Sequence, residues 1–298
     1  MNDMCDYLSR YADKGLYTMQ GRLVAPENGR FQSFPREDWR LEIERSAQIG
    51  LRGIEWIYDL YGEGCNPLES EVGRKELRQL LKKYDVAMVS ICADYFMDRP
   101  LLRCPENERA ELLKRLEWLL GVAAELGVER IVLPFVDASS IRDEAELLQI
   151  AAYIRQVLPY AEQYAVELHL ETDLAPMLFK DLLKRLDHPL VRVNYDSGNS
   201  ASLGYLPAEE FAAYGEFIGS FHIKDRKLGG STVPLGLGDT DFCSLRKELL
   251  KYNYQGDFVL QVARGESSDE LSWLTSMANL AADWLRGQAL CEGSQRVT

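Results

Sequence analysis

Three apolar runs in the second half of the chain decide its fold, and each ends in a polar side chain: VELHLE (166–171), VRVNYD (191–196) and FIGSFH (217–222). The end residues Glu171, Asp196 and His222 follow one another at intervals of 25 and 26 residues. Such an interval fits one strand, one helix and two short loops, the repeating unit of a parallel α/β fold. Equivalent strand ends meet at one edge of a parallel sheet, so we expect the three side chains to converge. Because Glu, Asp and His are ligands of ions such as Mn²⁺, Zn²⁺ and Co²⁺, the pattern predicts a metal site.

The same strand-then-helix rhythm runs through the whole chain. Candidate strands, several of them continuous apolar runs as in a helix-covered parallel sheet, lie at 15–19, 53–57, 86–92, 130–135, 166–171, 191–196, 217–223 and 257–262. Amphipathic helices are predicted at 35–49, 73–84, 106–126, 141–164, 178–186, 207–214, 244–252 and 268–285. Eight such units without an early G-x-G-x-x-G motif favour a closed (β/α)8 TIM barrel over a doubly wound sheet. We predict a single α/β domain over residues 1–298, in which the small polar residues 287–298 form a frayed tail.

Composition limits the partners of the chain. Its 298 residues fit one α/β barrel, and a net charge of −13 argues against nucleic-acid and anionic-membrane binding. No apolar run approaches the roughly 18 residues of a membrane span. The N-terminus lacks the features of a signal peptide, and the six cysteines include no C-x-x-C pair. We therefore expect a cytoplasmic protein with free thiols.

Further motifs surround the candidate metal ligands. Asp196 begins the segment DSGNS (196–200), His222 lies within SFHIKDR (220–226), and GLGDTDF (236–242) follows. On these residues the chain resembles the xylose-isomerase-like TIM-barrel superfamily, in particular its sugar-phosphate isomerase and epimerase branch, such as the L-ribulose-5-phosphate and L-xylulose-5-phosphate 3-epimerases. The resemblance implies one divalent metal ion, held by Glu, Asp, His and a final Glu at strand ends, that binds adjacent oxygens of a sugar.

The final ligand departs from that pattern. Strand eight reads FVLQVAR (258–264), which places Gln261 where the resemblance implies Glu. A glutamine carbonyl can coordinate a metal, but the amide cannot exchange a proton near neutral pH. With a divalent ion the predicted ligand set is electrically neutral, whereas a fourth ionisable ligand would make it negative; this set is Glu171, Asp196, His222 and Gln261.

Loss of the second glutamate leaves Glu171 as the predicted catalytic base. A single carboxylate base favours cis-enediol isomerisation. Alternatively, another group has replaced the second base, and the sequence does not rank the candidates Asp94, Asp225 and Glu266.

Polar residues near the remaining strand ends are candidates for substrate binding. They are Gln20, Arg22, Glu55, Trp56, Asp94, Asn199, Lys224, Asp225, Arg226 and Arg264. Glu55 has a second interpretation, as a buried salt-bridge partner of Arg22. The basic loop from Lys224 to Ser231 predicts a phosphate site, because barrel loops after strand seven bind phosphate with amides and cations. The alternative for this loop is a solvated, flexible lid.

Together these features predict an enzyme that isomerises or epimerises a sugar or sugar phosphate through an enediolate. A keto-sugar dehydratase or lyase stays open, since an enediolate can also expel a β-hydroxyl group. A non-catalytic sugar-binding barrel stays open because of Gln261. A nuclease is disfavoured, because three histidines and a negative chain do not suit a histidine-rich multi-zinc site. The sequence leaves the metal open among Mn, Zn, Co and Mg, and it leaves a homo-oligomer open.

Overall fold

The computed structural model describes residues 7–265 and 269–291, so the base candidate Glu266 and the tail residues 292–298 lie outside the described residues. Eight parallel strands form the central sheet: β1 (Tyr17–Met19), β2 (Gly53–Ile57), β3 (Ala87–Cys92), β4 (Arg130–Phe135), β5 (Glu167–Thr172), β6 (Val191–Asp196), β7 (Ile218–Ile223) and β8 (Asp257–Leu260). The sheet closes in the order β1-β8-β7-β6-β5-β4-β3-β2, with β1 paired to both β8 and β2. The predicted (β/α)8 barrel is therefore confirmed.

Helices surround the barrel and connect its strands: α1 (Ser9–Lys14), α2 (Trp39–Gln48), α3 (Glu71–Tyr84), α4 (Tyr95–Asp98), α5 (Glu106–Leu126), α6 (Glu144–Tyr164), α7 (Pro176–Leu186), α8 (Ser197–Leu203), α9 (Pro207–Tyr214), α10 (Phe242–Lys251) and α11 (Glu270–Leu285). Side-chain caps set several starts. The Asp143 carboxylate accepts the Glu146 N–H, so α6 begins at Glu144 and not at 141. The short helices α1, α4 and α8 were not predicted, nor was the antiparallel pair Asp225–Arg226 and Thr232–Val233 after β7.

Alternation along the strands separates the barrel interior from the layer beneath the helices. Successive side chains of a strand point to opposite faces, so every second residue faces the interior. The interior carries a hydrogen-bonded polar set that crosses strands, made of Glu55, Ser90, His169, Glu171, Asn194, Ser220 and His222. The outer face packs aromatic rings against helices, as with Tyr195 on Phe211 of α9 and Phe221 on Trp284 of α11. The polar groups are thereby held inside the barrel by an apolar outer layer.

The end of the described chain lies against α10. Cys243 Sγ donates a hydrogen bond to the Cys291 carbonyl at 3.2 Å, and Leu290 packs against the core. Residues 287–291, the first part of the expected tail, are thus in contact with the barrel. The five cysteines within the described ranges are free, and no described helix is long and apolar enough to cross a membrane.

Candidate active site

Glu171, Asp196 and His222 converge at the carboxyl ends of β5, β6 and β7. One ligand atom from each side chain lies within 4.8 Å of the other two. His222 Nδ1 lies 3.3 Å from Glu171 Oε2 and 3.8 Å from Asp196 Oδ2. All three residues are buried. The structure therefore brings together the three side chains whose spacing suggested a shared ion.

Glu55 holds the other side of the His222 ring. His222 Nε2 lies 2.7 Å from Glu55 Oε1, and the second Glu55 oxygen accepts a 2.5 Å hydrogen bond from the Ser90 hydroxyl. A carboxylate on one imidazole nitrogen directs the other nitrogen toward a metal and raises its basicity. Glu55 is fully buried and does not pair with Arg22, so both interpretations made from the sequence need correction. Its position in the middle of β2 faces His222 across the barrel.

Two asparagines hold the Glu171 carboxylate. Asn194 Nδ2 donates to Oε2 at 2.8 Å, and Asn199 Nδ2 donates to Oε1 at 2.7 Å. Asn199 was among the predicted residues, but Asn194 was not. The signal for it was present, because Asn194 precedes Asp196 by two residues in β6 and therefore shares its face.

Opposed charges set the ionisation of the cluster. Burial by itself would lower the pKa of His222, but Glu55, Asp196 and Glu171 raise it well above its usual value. Burial would raise the pKa of Asp196, but Lys224 and His222 lower it to about 2. In the metal-free protein the cluster therefore favours an ionised Asp196 beside a protonated His222, and a bound cation would take the place of the His222 ring proton.

Lys224 reaches the cluster across a glycine. Its ammonium lies 3.2 Å from both Asp196 Oδ2 and Asn199 Oδ1. A Cβ atom at Gly198 would lie 2.6 Å from Lys224 Cγ, so a larger residue there would displace the lysine stem. The glycine of the DSGNS motif thus makes room for a cation beside the candidate metal ligands.

Gln261 presents an unpartnered oxygen to the site. Its Nε2 donates to Gln32 Oε1 at 3.1 Å, and that oxygen also accepts from Arg22 Nη2 at 3.0 Å. A guanidinium only donates, so Gln32 must turn its oxygen toward Arg22, and Gln261 must turn its NH₂ toward Gln32. The remaining Gln261 Oε1 is buried and finds no hydrogen-bond partner within the described part of the chain. An orphaned carbonyl oxygen in a polar cavity fits a metal ion or a substrate hydroxyl group.

A cavity of about 510 Å³ covers this cluster, within the size range of small-molecule sites. Its lining includes six of the predicted residues: Asp94, Glu171, Asn199, Lys224, Arg226 and Gln261. Gln32 also lines it but was not predicted, because it comes from the loop between β1 and α2 and follows no strand-end pattern.

Trp56 and Gln20 lie away from the cavity. Trp56 follows Glu55 in β2 and so points outward, where it is fully buried against Trp39 of α2. Gln20 is also fully buried, and its Oε1 accepts the Ile57 N–H at 3.0 Å. Neither side chain lines the cavity, which corrects their prediction as substrate contacts.

Arg22 and Arg264 hold the loop after β1 rather than face the cavity. Arg22 donates to the carbonyls of Val262 and Phe31, at 3.0 and 3.1 Å. Arg264 donates to the carbonyls of Gly21, Val24 and Phe31, at 2.5, 3.0 and 3.0 Å. Arg264 donates to backbone oxygens and Arg22 donates to backbone oxygens and to Gln32, and neither side chain lines the cavity, so the suggested role of Arg264 at a phosphate site is corrected.

Asp225 organises the GLGDTDF loop. Its carboxylate accepts hydrogen bonds from the backbone N–H groups of Gly236, Gly238 and Thr240, at 2.8, 2.8 and 3.1 Å. A Cβ atom at Gly238 would lie 1.9 Å from Asp225 Oδ1, so only glycine allows this close wrapping. Asp225 is therefore neither a cavity residue nor a free base, contrary to both roles considered from the sequence.

Two curated proteins are similar to this chain in sequence. A 2-epi-5-epi-valiolone 7-phosphate 2-epimerase from Actinoplanes sp. is 27% identical over 178 residues, which cover 57% of this chain and 64% of that protein. The chain thus matches less than two thirds of that relative's length. A putative L-ribulose-5-phosphate 3-epimerase from Haemophilus influenzae is 20% identical over 78% of this chain and 86% of that protein. Both names describe epimerases, which supports the prediction of an enzyme.

A solved structure and a family model agree with this fold. A xylose isomerase-like TIM barrel protein from Mycobacterium smegmatis, in complex with magnesium, superposes with a TM-score of 0.67 at 17% identity, covering 93% of this chain and 98% of that one. At 17% identity this similarity shows a shared fold only. The family model described as xylose isomerase-like TIM barrel matches residues 43–286. The chain therefore belongs to the xylose isomerase-like TIM barrel family.

Proposed function

We propose that this protein is a metal-dependent epimerase or isomerase of a keto-sugar phosphate, acting through an enediolate. One observation carries the proposal: the buried cluster of Glu171, Asp196 and His222 lies beneath a cavity lined by Lys224 and Arg226. Acidic ligands suit a divalent cation, and the two cationic side chains suit an anionic substrate group. The names of the two curated epimerases, both of which act on phosphorylated compounds, support this substrate class.

The ion would be held by Glu171, Asp196, His222 Nδ1 and Gln261 Oε1. When bound, a divalent ion supplies electrophilic polarisation of a substrate carbonyl. Carboxylate, imidazole and amide oxygen ligands are compatible with Mn²⁺, Zn²⁺, Co²⁺ or Mg²⁺. The neighbouring barrel that holds magnesium supports a divalent ion of this group.

Glu171 would transfer the proton. Its carboxylate takes the proton from the carbon beside the substrate carbonyl, and the electron pair of that C–H bond forms the enediolate double bond. Asn194 and Asn199 hold both carboxylate oxygens with neutral donors, so the base is positioned without a salt bridge to Lys or Arg. Return of a proton to the neighbouring carbon gives isomerisation, and return to the opposite face of the same carbon gives epimerisation.

The anionic end of the substrate would lie near the loop after β7. Arg226 and Lys224 line the cavity there, together with Ser231 and Thr232. Asn199 Oδ1 accepts from Arg226 Nη1 at 2.8 Å and from the Lys224 ammonium at 3.2 Å, which connects these cations to the Glu171 carboxylate. The substrate phosphate is thus proposed to be bound by the same residues that order the base.

Metal analysis and solvent-exchange NMR test the proposal. The protein is first loaded with Mn²⁺ to measure metal retention. For NMR, the Mn²⁺ is replaced by Zn²⁺ or Mg²⁺, and the protein is incubated in D₂O with L-ribulose 5-phosphate, L-xylulose 5-phosphate and the free pentuloses. We expect deuterium at the carbon beside the carbonyl, with the phosphorylated compounds preferred. Loss of a β-hydroxyl group would support the dehydratase alternative. Absence of both metal retention and exchange would support the sugar-binding alternative.

A further inference from the structure

One buried carboxyl group of the cavity takes no part in the cluster described above. Asp94 follows β3 and lines the same cavity as Glu171, and only 7% of its surface is exposed. In the barrel order β3 lies opposite β7 and is separated from β5 by β4 alone. Asp94 therefore lies on the cavity wall across from the cationic loop after β7, two strands around the barrel from Glu171.

The hydrogen bonds of Asp94 leave it available for chemistry. Gln32 Nε2 donates to Oδ2 at 2.8 Å, and the Cys92 thiol donates to Oδ1 at 3.1 Å. Both donors are neutral, and no salt bridge joins Asp94 to a cation within residues 7–265 and 269–291. By contrast, Asp225 is saturated by three amides and Asp196 pairs with Lys224. Asp94 retains lone pairs that can face a substrate.

The surroundings also suit proton exchange near neutral pH. Burial, together with the negative charges of Asp59 and Glu171, raises the pKa of Asp94 to about 7, against the hydrogen bonds from Gln32 and Cys92. An acid with such a pKa is present in both protonation states at physiological pH, which is the condition for efficient general acid–base catalysis.

We infer that Asp94 is the second proton-transfer group of this site, acting on the face of the substrate opposite Glu171. This inference rests on the proposed function and narrows it to epimerisation. Glu171 takes the C–H proton from one face, and the electron pair enters the enediolate double bond. The Asp94 carboxylic acid then gives its proton to the same carbon from the other face, and the carbonyl re-forms. Both groups return to their starting states by proton exchange with water, and the roles reverse for the other epimer.

Gln261 is the positioning residue of this arrangement. Its NH₂ group donates to Gln32 Oε1, as Arg22 Nη2 does, and these two donors direct Gln32 Nε2 toward Asp94. An ionised glutamate at 261 has no proton to donate, so it would oppose the Gln32 oxygen that Arg22 holds toward it. Gln261 therefore has no ionisable group of its own but supports the orientation in which Gln32 donates to Asp94.

Separate exchange measurements on the two epimers test the inference. L-ribulose 5-phosphate and L-xylulose 5-phosphate are each incubated in D₂O with wild-type protein, Asp94→Asn and Glu171→Gln. We expect Asp94→Asn to lose net epimerisation by about 10²- to 10⁴-fold, the usual contribution of a general acid or base. It should still exchange the proton of the one epimer that Glu171 deprotonates. Glu171→Gln should retain exchange of the other epimer only, and Asp94→Glu should recover part of the epimerisation.

Asp137→Asn is the matched control, because it makes the same change in an exposed carboxyl group on the rim of the same cavity. Two results for Asp94→Asn would overturn the role of Asp94 without touching the proposed function. They are an equal loss of exchange from both epimers and epimerisation at the wild-type rate. Failure of the wild-type protein to exchange either epimer would overturn the proposed function itself.

A measurement on the wild-type protein covers the case in which Asp94→Asn does not fold. Two bases require that product formed at low conversion carries solvent deuterium while the recovered substrate stays unlabelled. Transfer of the substrate hydrogen into the product would show a single base and would contradict the inference.

Discussion

His222 Nε2 and Glu55 Oε1 lie 2.7 Å apart, with both side chains fully buried, and the pair joins β7 to β2 across the barrel. This contact leaves His222 Nδ1 for the cluster with Glu171 and Asp196. We expect Glu55→Gln to weaken metal affinity by about 10- to 100-fold, as is typical when the partner of a metal-binding histidine is changed. Titration against a competing chelator measures the effect.

Glu167→Gln provides the control for this change. Glu167 Oε2 lies 2.7 Å from His169 Nε2, the same separation, but this pair does not belong to the metal cluster. Its substitution should leave metal affinity within about twofold of wild type. Equal weakening by both variants would show a general loss of stability and not a role for Glu55 in metal binding.

Restoring a carboxylate at position 261 should strengthen metal binding. The neutral ligand set would gain a negative charge in Gln261→Glu, and ligand charge is a main determinant of divalent-ion affinity. We expect Kd for Mn²⁺ to fall by about tenfold or more in calorimetric titration. Gln288→Glu, at an exposed position, makes the same change away from the site and should have no effect. An unchanged Kd in Gln261→Glu would exclude Gln261 from the ligand set.

Arg226 should distinguish phosphorylated from free sugars. Arg226 lines the cavity, whereas its neighbour Lys227 is exposed and does not. We expect Arg226→Ala to raise KM for a pentulose phosphate by about 10- to 100-fold, because hydrogen bonds to charged groups contribute ~1.5–3 kcal/mol. KM for the free pentulose should change little. Lys227→Ala removes the same charge from the loop surface. A similar rise in KM in both variants would show that the overall positive charge of the loop acts on the substrate, and not a direct contact by Arg226.

Asp94 should make the stability of the metal-free protein depend on pH. Folding raises the pKa of this carboxyl group from 3.8 to about 7. Its favourable contribution to the free energy of unfolding is therefore complete below about pH 4 and is lost as the pH rises to about 7. Asp94→Asn has no carboxyl group at this position and does not lose stability in this way. The free energy of unfolding of the variant, relative to wild type, should therefore increase by on the order of 2–4 kcal/mol between pH 4 and pH 8, as measured by denaturant unfolding.

Asp137→Asn, at an exposed residue on the rim of the cavity, is the control for the pH dependence of stability. A stability difference between Asp94→Asn and wild type that does not change with pH would show that Asp94 keeps an ordinary pKa in the folded protein. Its role as an acid near neutral pH would then lose its electrostatic support.

Local periodicity made the barrel and the metal cluster predictable. Glu171, Asp196 and His222 each end an apolar run, and the parallel fold necessarily brings such ends together. The alternation of side chains along a strand could have predicted more of the site. Asn194 shares a strand face with Asp196, whereas Trp56 stands on the face opposite Glu55, so the placement of both residues follows from counting by two along a strand.

Long-range contacts were beyond the sequence, because hydrogen-bond partners distant along the chain are chosen by the closed barrel. Glu55 meets His222 across 167 positions, and Gln32 enters the cavity from a loop that carries no periodic pattern. The roles of Asp225 and Arg264 were likewise decided by backbone groups that the fold places around them. The sequence determined which residues end the strands and that residue 261 has no ionisable group. Tertiary structure alone decided which carboxyl groups are saturated and which, as with Asp94, remain available, because saturation depends on donors brought from other strands and loops.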